Sequence, residues 1–243
     1  MSSGTDTPAR HRTIRSFVRR AGRLTTSQQR ALEELWPDFG VEFSADLLNF
    51  ETLFKRRAPV VLEIGFGNGD TLVQQAAEHP EFDFIGIEVH EPGIGHCLIK
   101  ARDAGTGNLR LIRHDAVEVL EAMIPPASLA RVNLYFPDPW PKKRHHPRRL
   151  IQPGFVRVLA RRLVAGGELH VATDHIGYAE WIDEVLAGEP SLENACAPER
   201  FRRSVSNRPA TAYELEWRAQ GHPFCFFSYR RRADAVSCGP GPG

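Results

Sequence analysis

Val60-Val61-Leu62-Glu63-Ile64-Gly65-Phe66-Gly67-Asn68-Gly69-Asp70 is the stretch that decides the fold. Its first five residues are apolar and mostly β-branched around a single acid, which predicts a buried strand. Three alternating glycines follow. They relieve crowding at a strand-to-helix turn and let a ligand approach backbone N–H groups at the helix start. A helix is expected from about Asp70 to His79. The spacing is G-x-G-x-G, and Asp70 stands where the dinucleotide fingerprint G-x-G-x-x-G needs its third glycine, which argues against a nicotinamide site.

The same alternation continues along the chain. Phe82 to Glu88 reads as a second strand, and Pro92 suits the first turn of a helix reaching Arg102. Leu109 to Arg113 is a third strand, Val117 to Met123 a short helix, and Val132 to Phe136 a fourth strand. Phe155 to Val164 has helical spacing. After Gly166-Gly167, Glu168 to Asp174 is a fifth strand, and Tyr178 to Leu186 a further helix. Upstream, Thr26 and Gln29 have capping-box spacing and would open a helix ending before Pro37. Asp46 to Phe54 suggests another short helix. Downstream, Thr211 to Gly221 reads as a helix and Phe224 to Arg230 as a final, antiparallel strand. Strands alternating with helices imply an α/β fold, a mostly parallel sheet with helices on both faces.

Glu63, Glu88, Asp115 and Asp138 each fall near the C-terminal end of a successive strand. Ligands of open parallel sheets bind over those ends. Four acids on one rim repel one another unless cationic or donor groups sit among them. Any one of them can instead cap a helix, but four in register after a glycine loop point to a ligand rich in such groups.

Beyond the fourth strand the chain reads Asn133-Leu134-Tyr135-Phe136-Pro137-Asp138-Pro139-Trp140-Pro141-Lys142-Lys143-Arg144-His145-His146-Pro147-Arg148-Arg149. Its prolines lock φ and keep their neighbours out of helix, so Asp138 sits on a stiff loop. The cationic block after it contains no acid, which suits a polyanion; the plain alternative is a proline turn followed by solvated charge. Net charge is only +1, yet Arg10, Arg12, Arg15, Arg19, Arg20 and Arg23 form a second basic cluster and Arg200, Arg202, Arg203 and Arg208 a looser third. Segregated charge of this kind makes a positive face on a nearly neutral protein.

The 243 residues and a 42% hydrophobic content fit one domain with modest extensions. No window approaches a membrane span, and the N-terminus lacks an apolar signal region. Cys97, Cys196, Cys225 and Cys238 form no C-x-x-C pair, so neither a zinc site nor a disulfide framework is expected, and the compartment is read as reducing and cytoplasmic.

The glycine loop with its preceding acid resembles that of S-adenosylmethionine-dependent methyltransferases, and the chain from about Ile14 to Arg231 resembles the bacterial single-subunit tRNA (guanine-N7-)-methyltransferase family. The residues that carry this are Leu62 to Gly69, Gly86-Ile87-Glu88, Asn133 to Arg149, Thr173-Asp174, Arg208 to Glu214 and the arginine-rich arm leading to Trp36-Pro37. The resemblance implies a Rossmann-like fold and methyl transfer from S-adenosyl-L-methionine to N7 of guanine at position 46 in the tRNA variable loop. It implies Glu63, Gly65, Gly67, Glu88, Asp115 and Asp138 as cofactor contacts, with Asp138 also the active-site acid. Lys142, Arg144, His145, His146, Arg148, Arg149, Asp174, Thr211 and Glu214 would meet the substrate, and no metal is expected. Where many relatives have Thr-Lys-Phe-Glu, this chain has Thr211-Ala212-Tyr213-Glu214, so only Thr211 and Glu214 carry over.

These residues also have plainer readings. T-x-x-E is a capping box, and Asp174 can cap the helix at Tyr178. Trp140 or Tyr135 offers a face for a displaced base. The expected organisation is a flexible basic arm at 1–24, a methyltransferase domain at 25–232 and a disordered Gly/Pro tail at 233–243. The partner is tRNA, with no membrane, and the protein acts as a monomer or homodimer without an accessory subunit. Competing readings are an RNA methyltransferase directed at an exocyclic amine, or a non-catalytic RNA-binding module. Product chemistry separates the first, and failure to bind S-adenosylmethionine would favour the second.

Overall fold

The computed structural model describes residues 23–204 and 209–233. The basic arm up to Arg20, Arg208 and the tail with Cys238 lie outside them. In chain order the elements are α1 (Thr26–Phe39), β1 (Gly40–Val41), α2 (Phe50–Phe54), β2 (Val60–Ile64), α3 (Asp70–Glu78), β3 (Asp83–Ile87), α4 (Glu91–Asp103), β4 (Leu109–Ile112), α5 (Ala116–Ala122) and β5 (Leu129–Tyr135). After a 3-10 helix at Lys143–Arg148 come α6 (Pro153–Arg162), β6 (Leu163–Thr173), α7 (Ile176–Ala187), β7 (Leu192–Asn194), α8 (Ala212–Ala219) and β8 (Cys225–Arg231).

One sheet of order β1-β4-β3-β2-β5-β6-β8-β7 results. Neighbours from β1 to β6 are parallel, and β8 runs antiparallel to both β6 and β7. The chain winds outward from β2 to β3 and β4, then returns to lay β5 on the other side of β2. A crevice therefore opens between the C-terminal ends of β2 and β5, the place where such sheets bind ligands.

All five residues of β2 and of β3 are buried, as strands covered on both faces should be. Leu62 and Ile64 point to a core shared with α5, α6 and α7. Val61 joins a second core with Phe84, Leu72, Leu98 and Ala31, from α3, α4 and α1. By the strand's twofold alternation, Glu63 shares Val61's side and is buried there, 3% exposed. Gly69 caps α3 at φ +75°, and a Cβ there would lie 2.4 Å from Cys97 Sγ on α4. Only glycine meets both demands.

Several boundaries differ from expectation. The capping box of α1 sits one residue early: Thr25 accepts from Gln28 N–H, and Gln28 Oε1 accepts from Thr25 N–H at 2.8 Å. α1 also runs through Pro37 to Phe39. The bond that Pro37 cannot donate falls in the last turn, which Gly40 N–H closes onto Trp36. Leu163 to Gly167, expected as helix end and turn, are the start of the long β6. β1 and β7 were not expected.

Among the described residues, no helix is long and apolar enough to cross a membrane. Cys97, Cys196 and Cys225 are buried and free, and among the described residues no group of His, Cys, Asp and Glu is placed to hold a metal ion.

Candidate active site

Two adjoining cavities occupy the crevice. The first, about 250 Å³, is walled by apolar Ile64, Ile87 and Leu134, with Glu88 and Asp138 as its acids. The second, about 650 Å³, takes in Glu63, Gly67, Thr71, Asp138, Asp174, Thr211 and Tyr213. Gly65, Tyr135, Phe136, Pro137 and Asp138 border both. The stiff loop thus places the Asp138 carboxylate, exposed, on the partition between the two chambers.

The glycine loop forms an open cradle. Gly65 and Gly67 have φ of +73° and +58°, and a Cβ on either would point into space with nothing within 4 Å. Glu88 clasps this cradle from beneath. Its Oε2 accepts from Gly67 N–H at 3.0 Å, while Oε1 accepts from Val89 and His90 N–H at 2.7 and 3.0 Å. Asp70 is tied to Lys100 Nζ at 2.5 Å, which fixes the start of α3 against α4.

Asp115 is arranged differently from the other acids. It caps α5, accepting from Val117 N–H at 2.8 Å, and lines neither cavity, although its neighbours His114 and Ala116 line the first. Here the helix-cap role is realised.

At the far wall of the larger chamber, the cap of α7 is His175, whose Nδ1 accepts from Tyr178 N–H at 3.1 Å, and not Asp174. Asp174 is left to face the cavity, where Tyr213 Oη–H donates to its Oδ2 at 2.6 Å. Burial, and then this carboxylate, push the Tyr213 phenol well above its ordinary value. Thr211 caps α8 by accepting from Glu214 N–H at 2.9 Å, as the T-x-x-E spacing implies. Glu214 does not reach the cavity as expected: it is 1% exposed and ion-paired with Arg218.

The basic stretch after Asp138 divides into two layers. Lys142, Arg144 and Arg148 are exposed on or beside the 3-10 helix, with His145 and His146 half-buried among them. Partial desolvation, then Arg144, Arg148 and Lys142, hold the His145 imidazole below its usual pKa. Arg149, expected beside them, is buried at 4% exposure. The 3-10 helix runs through Pro147 and ends at Arg148. Arg149, which caps it by donating its N–H to the His146 carbonyl, turns inward while Arg148 remains outside, over the Trp140 ring at 5.2 Å. Trp140, covered by Arg148 and His145, lines neither cavity; Phe66, Tyr135, Phe136 and Tyr213 are aromatic wall residues of the larger chamber. His175 and His222 belong to this chamber and carried no motif that would have singled them out; Phe136, also on its wall, lay inside the Asn133 to Arg149 run but was given no role of its own.

Comparison with known proteins agrees with this geometry. The family described as "Putative methyltransferase" matches residues 57–227. A tRNA (guanine-N(7)-)-methyltransferase of Alkalilimnicola ehrlichii is 52% identical over 234 residues, covering 96% of this chain and 98% of that protein. One of Halorhodospira halophila is 51% identical over 93% of this chain and 98% of its own length. The chain belongs to the tRNA (guanine-N(7)-)-methyltransferase family. S-adenosylmethionine is accordingly its cofactor, and its reaction is a methyl transfer. The fold agrees too: the 16S rRNA methyltransferase KamB superposes with a TM-score of 0.54 at 15% identity, covering 77% of this chain and 95% of that one. An rRNA methylase from Streptococcus thermophilus gives 0.50 at 12% identity, covering 72% and 88%. Open glycine cradle, apolar slot and flanking acids suit a donor that combines a flat base, ribose hydroxyls, an ammonium and a sulfonium.

Proposed function

We propose that this chain transfers the methyl group of S-adenosyl-L-methionine to N7 of guanine at position 46 in the variable loop of tRNA. The observation that carries the reading is the 52% identity to a tRNA (guanine-N(7)-)-methyltransferase over nearly the full length of both chains. Residues 25–232 would form the catalytic domain, acting in the cytoplasm as a monomer or homodimer without an accessory subunit.

The cofactor would span both chambers, and the guanine would enter the larger one from its Asp174 side. The apolar slot beside Glu88 suits the adenosine half, with Glu88 placed for ribose hydroxyls. Glu63, at the floor of the larger chamber with Gly65 and Gly67, suits the ammonium end. Asp115 would act on the adenine side, through the start of α5 that it caps. When bound, the cofactor supplies an electrophilic methyl group on a cationic sulfur.

Guanine N7 offers a lone pair and has no proton to lose, so the chain needs no general base. Its task is positional: reacting groups held in line, with the entropy of encounter already removed. Asp138, on the partition, faces the place where positive charge passes from sulfur to purine, and strengthens as a partner when the guanine becomes cationic. Asp174, with Tyr213 fixing one oxygen, offers its other oxygen to the donor edge of guanine (N1–H and the exocyclic amine), an edge adenine does not share. Thr211 stands beside it. Lys142, Arg144, His145, His146 and Arg148 would grip phosphates around the loop.

Incubation with labelled S-adenosylmethionine and bulk tRNA, followed by mapping of the label, tests the proposal. N7-methylguanosine makes the chain cleavable by aniline after reduction. Cleavage at the variable-loop guanine is expected; label that gives no aniline-sensitive site would mean an amine was methylated, and no label at all would leave an RNA-binding role.

A further inference from the structure

The loop that carries Asp138 has almost no hydrogen bonds of its own. Pro137, Pro139 and Pro141 contribute no N–H groups, and within 137–141 the Pro139 carbonyl is the one backbone group with a partner among the described residues. The loop is also bent against preference. Phe136 and Trp140, on either side of Asp138, have φ of +53° and +43°, a left-handed conformation that side-chain-bearing residues adopt only when the surroundings impose it. Something outside the loop must hold it.

That tie is Arg149. Its Nε–H donates to the Pro139 carbonyl at 2.9 Å, and its guanidinium lies 4.8 Å from the centre of the Tyr178 ring. Tyr178 is fully buried and its hydroxyl accepts from Ile151 N–H at 3.3 Å, so the platform is part of the core. No carboxylate pairs with Arg149 among the described residues. Burial lowers its pKa, with the Tyr178 hydroxyl the opposing influence. A cation taken out of water without a counter-ion is costly, and the Pro139 carbonyl and the Tyr178 ring face are what offset that cost here.

We propose that Arg149 is a positioning residue for the methyl transfer, setting the place of Asp138 through the Pro139 carbonyl, and is not a contact for RNA. This rests on the function proposed above. Arginine suits the task because one flat group both stacks on a ring and directs a fixed N–H; lysine keeps the charge and loses both. Adjacent Arg148 and Arg149 thus divide the work, one outward toward polyanion and one inward toward the loop.

Arg149→Lys tests the proposal in the full-length enzyme. Since a displacement of about 1 Å can cost about 100-fold, kcat is expected to fall at least about tenfold, while KM for tRNA and its salt dependence stay near wild type. Made on top of Asp138→Asn, the same change is expected to add less than about twofold, because residues acting through one another are not additive. A raised KM with a shallower salt slope and unchanged kcat would overturn the proposal in favour of a phosphate contact. So would a kcat loss that multiplies with that of Asp138→Asn, the mark of general damage to the fold. If Arg149→Lys does not fold, hydrogen exchange at Arg149 Nε–H of the wild type decides. An N–H already slow to exchange and unmoved by tRNA is expected, and one that slows only with tRNA overturns the idea. A wild type that transfers no methyl group to tRNA would remove the functional reading and this proposal together; an active wild type with either contrary result removes this proposal alone.

Discussion

Tyr213 on α8 and Asp174 just past β6 are joined by a hydrogen bond of 2.6 Å, so the last helix described in the chain is fastened to the rim of the parallel sheet. The bond orients a carboxylate that would read guanine. A hydrogen bond to a carboxylate contributes about 1.5–3 kcal/mol net. Tyr213→Phe should therefore lower kcat/KM for tRNA by roughly ten- to 150-fold with cofactor affinity unchanged, as steady-state kinetics and titration calorimetry would show. Asp174→Ala, which removes the acceptor itself, should cost more than Tyr213→Phe.

Asp138→Asn keeps shape and removes charge. If the carboxylate stabilises a purine becoming cationic, single-turnover methylation should slow by about 100-fold while tRNA still binds. Unchanged turnover with both ligands bound would dismiss the charge role.

Arg148 is the exposed member of the arginine pair. Replacing it with Ala should weaken tRNA binding across all species and reduce the slope of log affinity against log salt by about one. Filter binding over a salt series measures this, with cofactor affinity as the internal control.

A cluster remote from the crevice governs acid stability. Hydrogen bonding from His170, opposed by partial burial and aided by Arg131, brings Glu168 down from 4.5 to about 2. Because the folded value lies below the unfolded one, the unfolded chain takes up the proton first as pH falls. The stabilisation is whole above about pH 4.5 and disappears on the way down to about 2. Urea unfolding of the wild type and Glu168→Gln should differ most above about pH 4.5 and converge only as pH falls to about 2.

The sheet was readable in the sequence because buried parallel strands are short apolar runs closed by glycine or acid. Val60 to Ile64 falls on β2 residue for residue. Other features depend on tertiary surroundings. Gly40 and Val41 pair with Leu111 and Ile112, seventy residues on, and two residues carry no periodicity. Leu163 and Val164 continue the apolar spacing of α6, which hides the onset of β6. Within the site, local pattern found the residues and offered helix capping as the plainer role, without choosing between the two readings. Asp115 and Thr211 do cap helices, and Glu214 turns inward to Arg218. Inside a run of cations nothing local separates Arg149 from Arg148; the distinction comes from Tyr178, which lies in another helix.

β8 is the last strand described, yet it lies between β6 and β7, and its Cys225 pairs with Thr173, the residue before Asp174. A nascent chain emerging from the ribosome can stack β2 through β6 in order, but the edge of β6 stays bare until Cys225–Arg231 have cleared the exit tunnel. The wall that carries Asp174 and Tyr213 is thus among the last parts to set during synthesis, and a polypeptide stalled short of that point would hold the glycine cradle and the Asp138 loop without it.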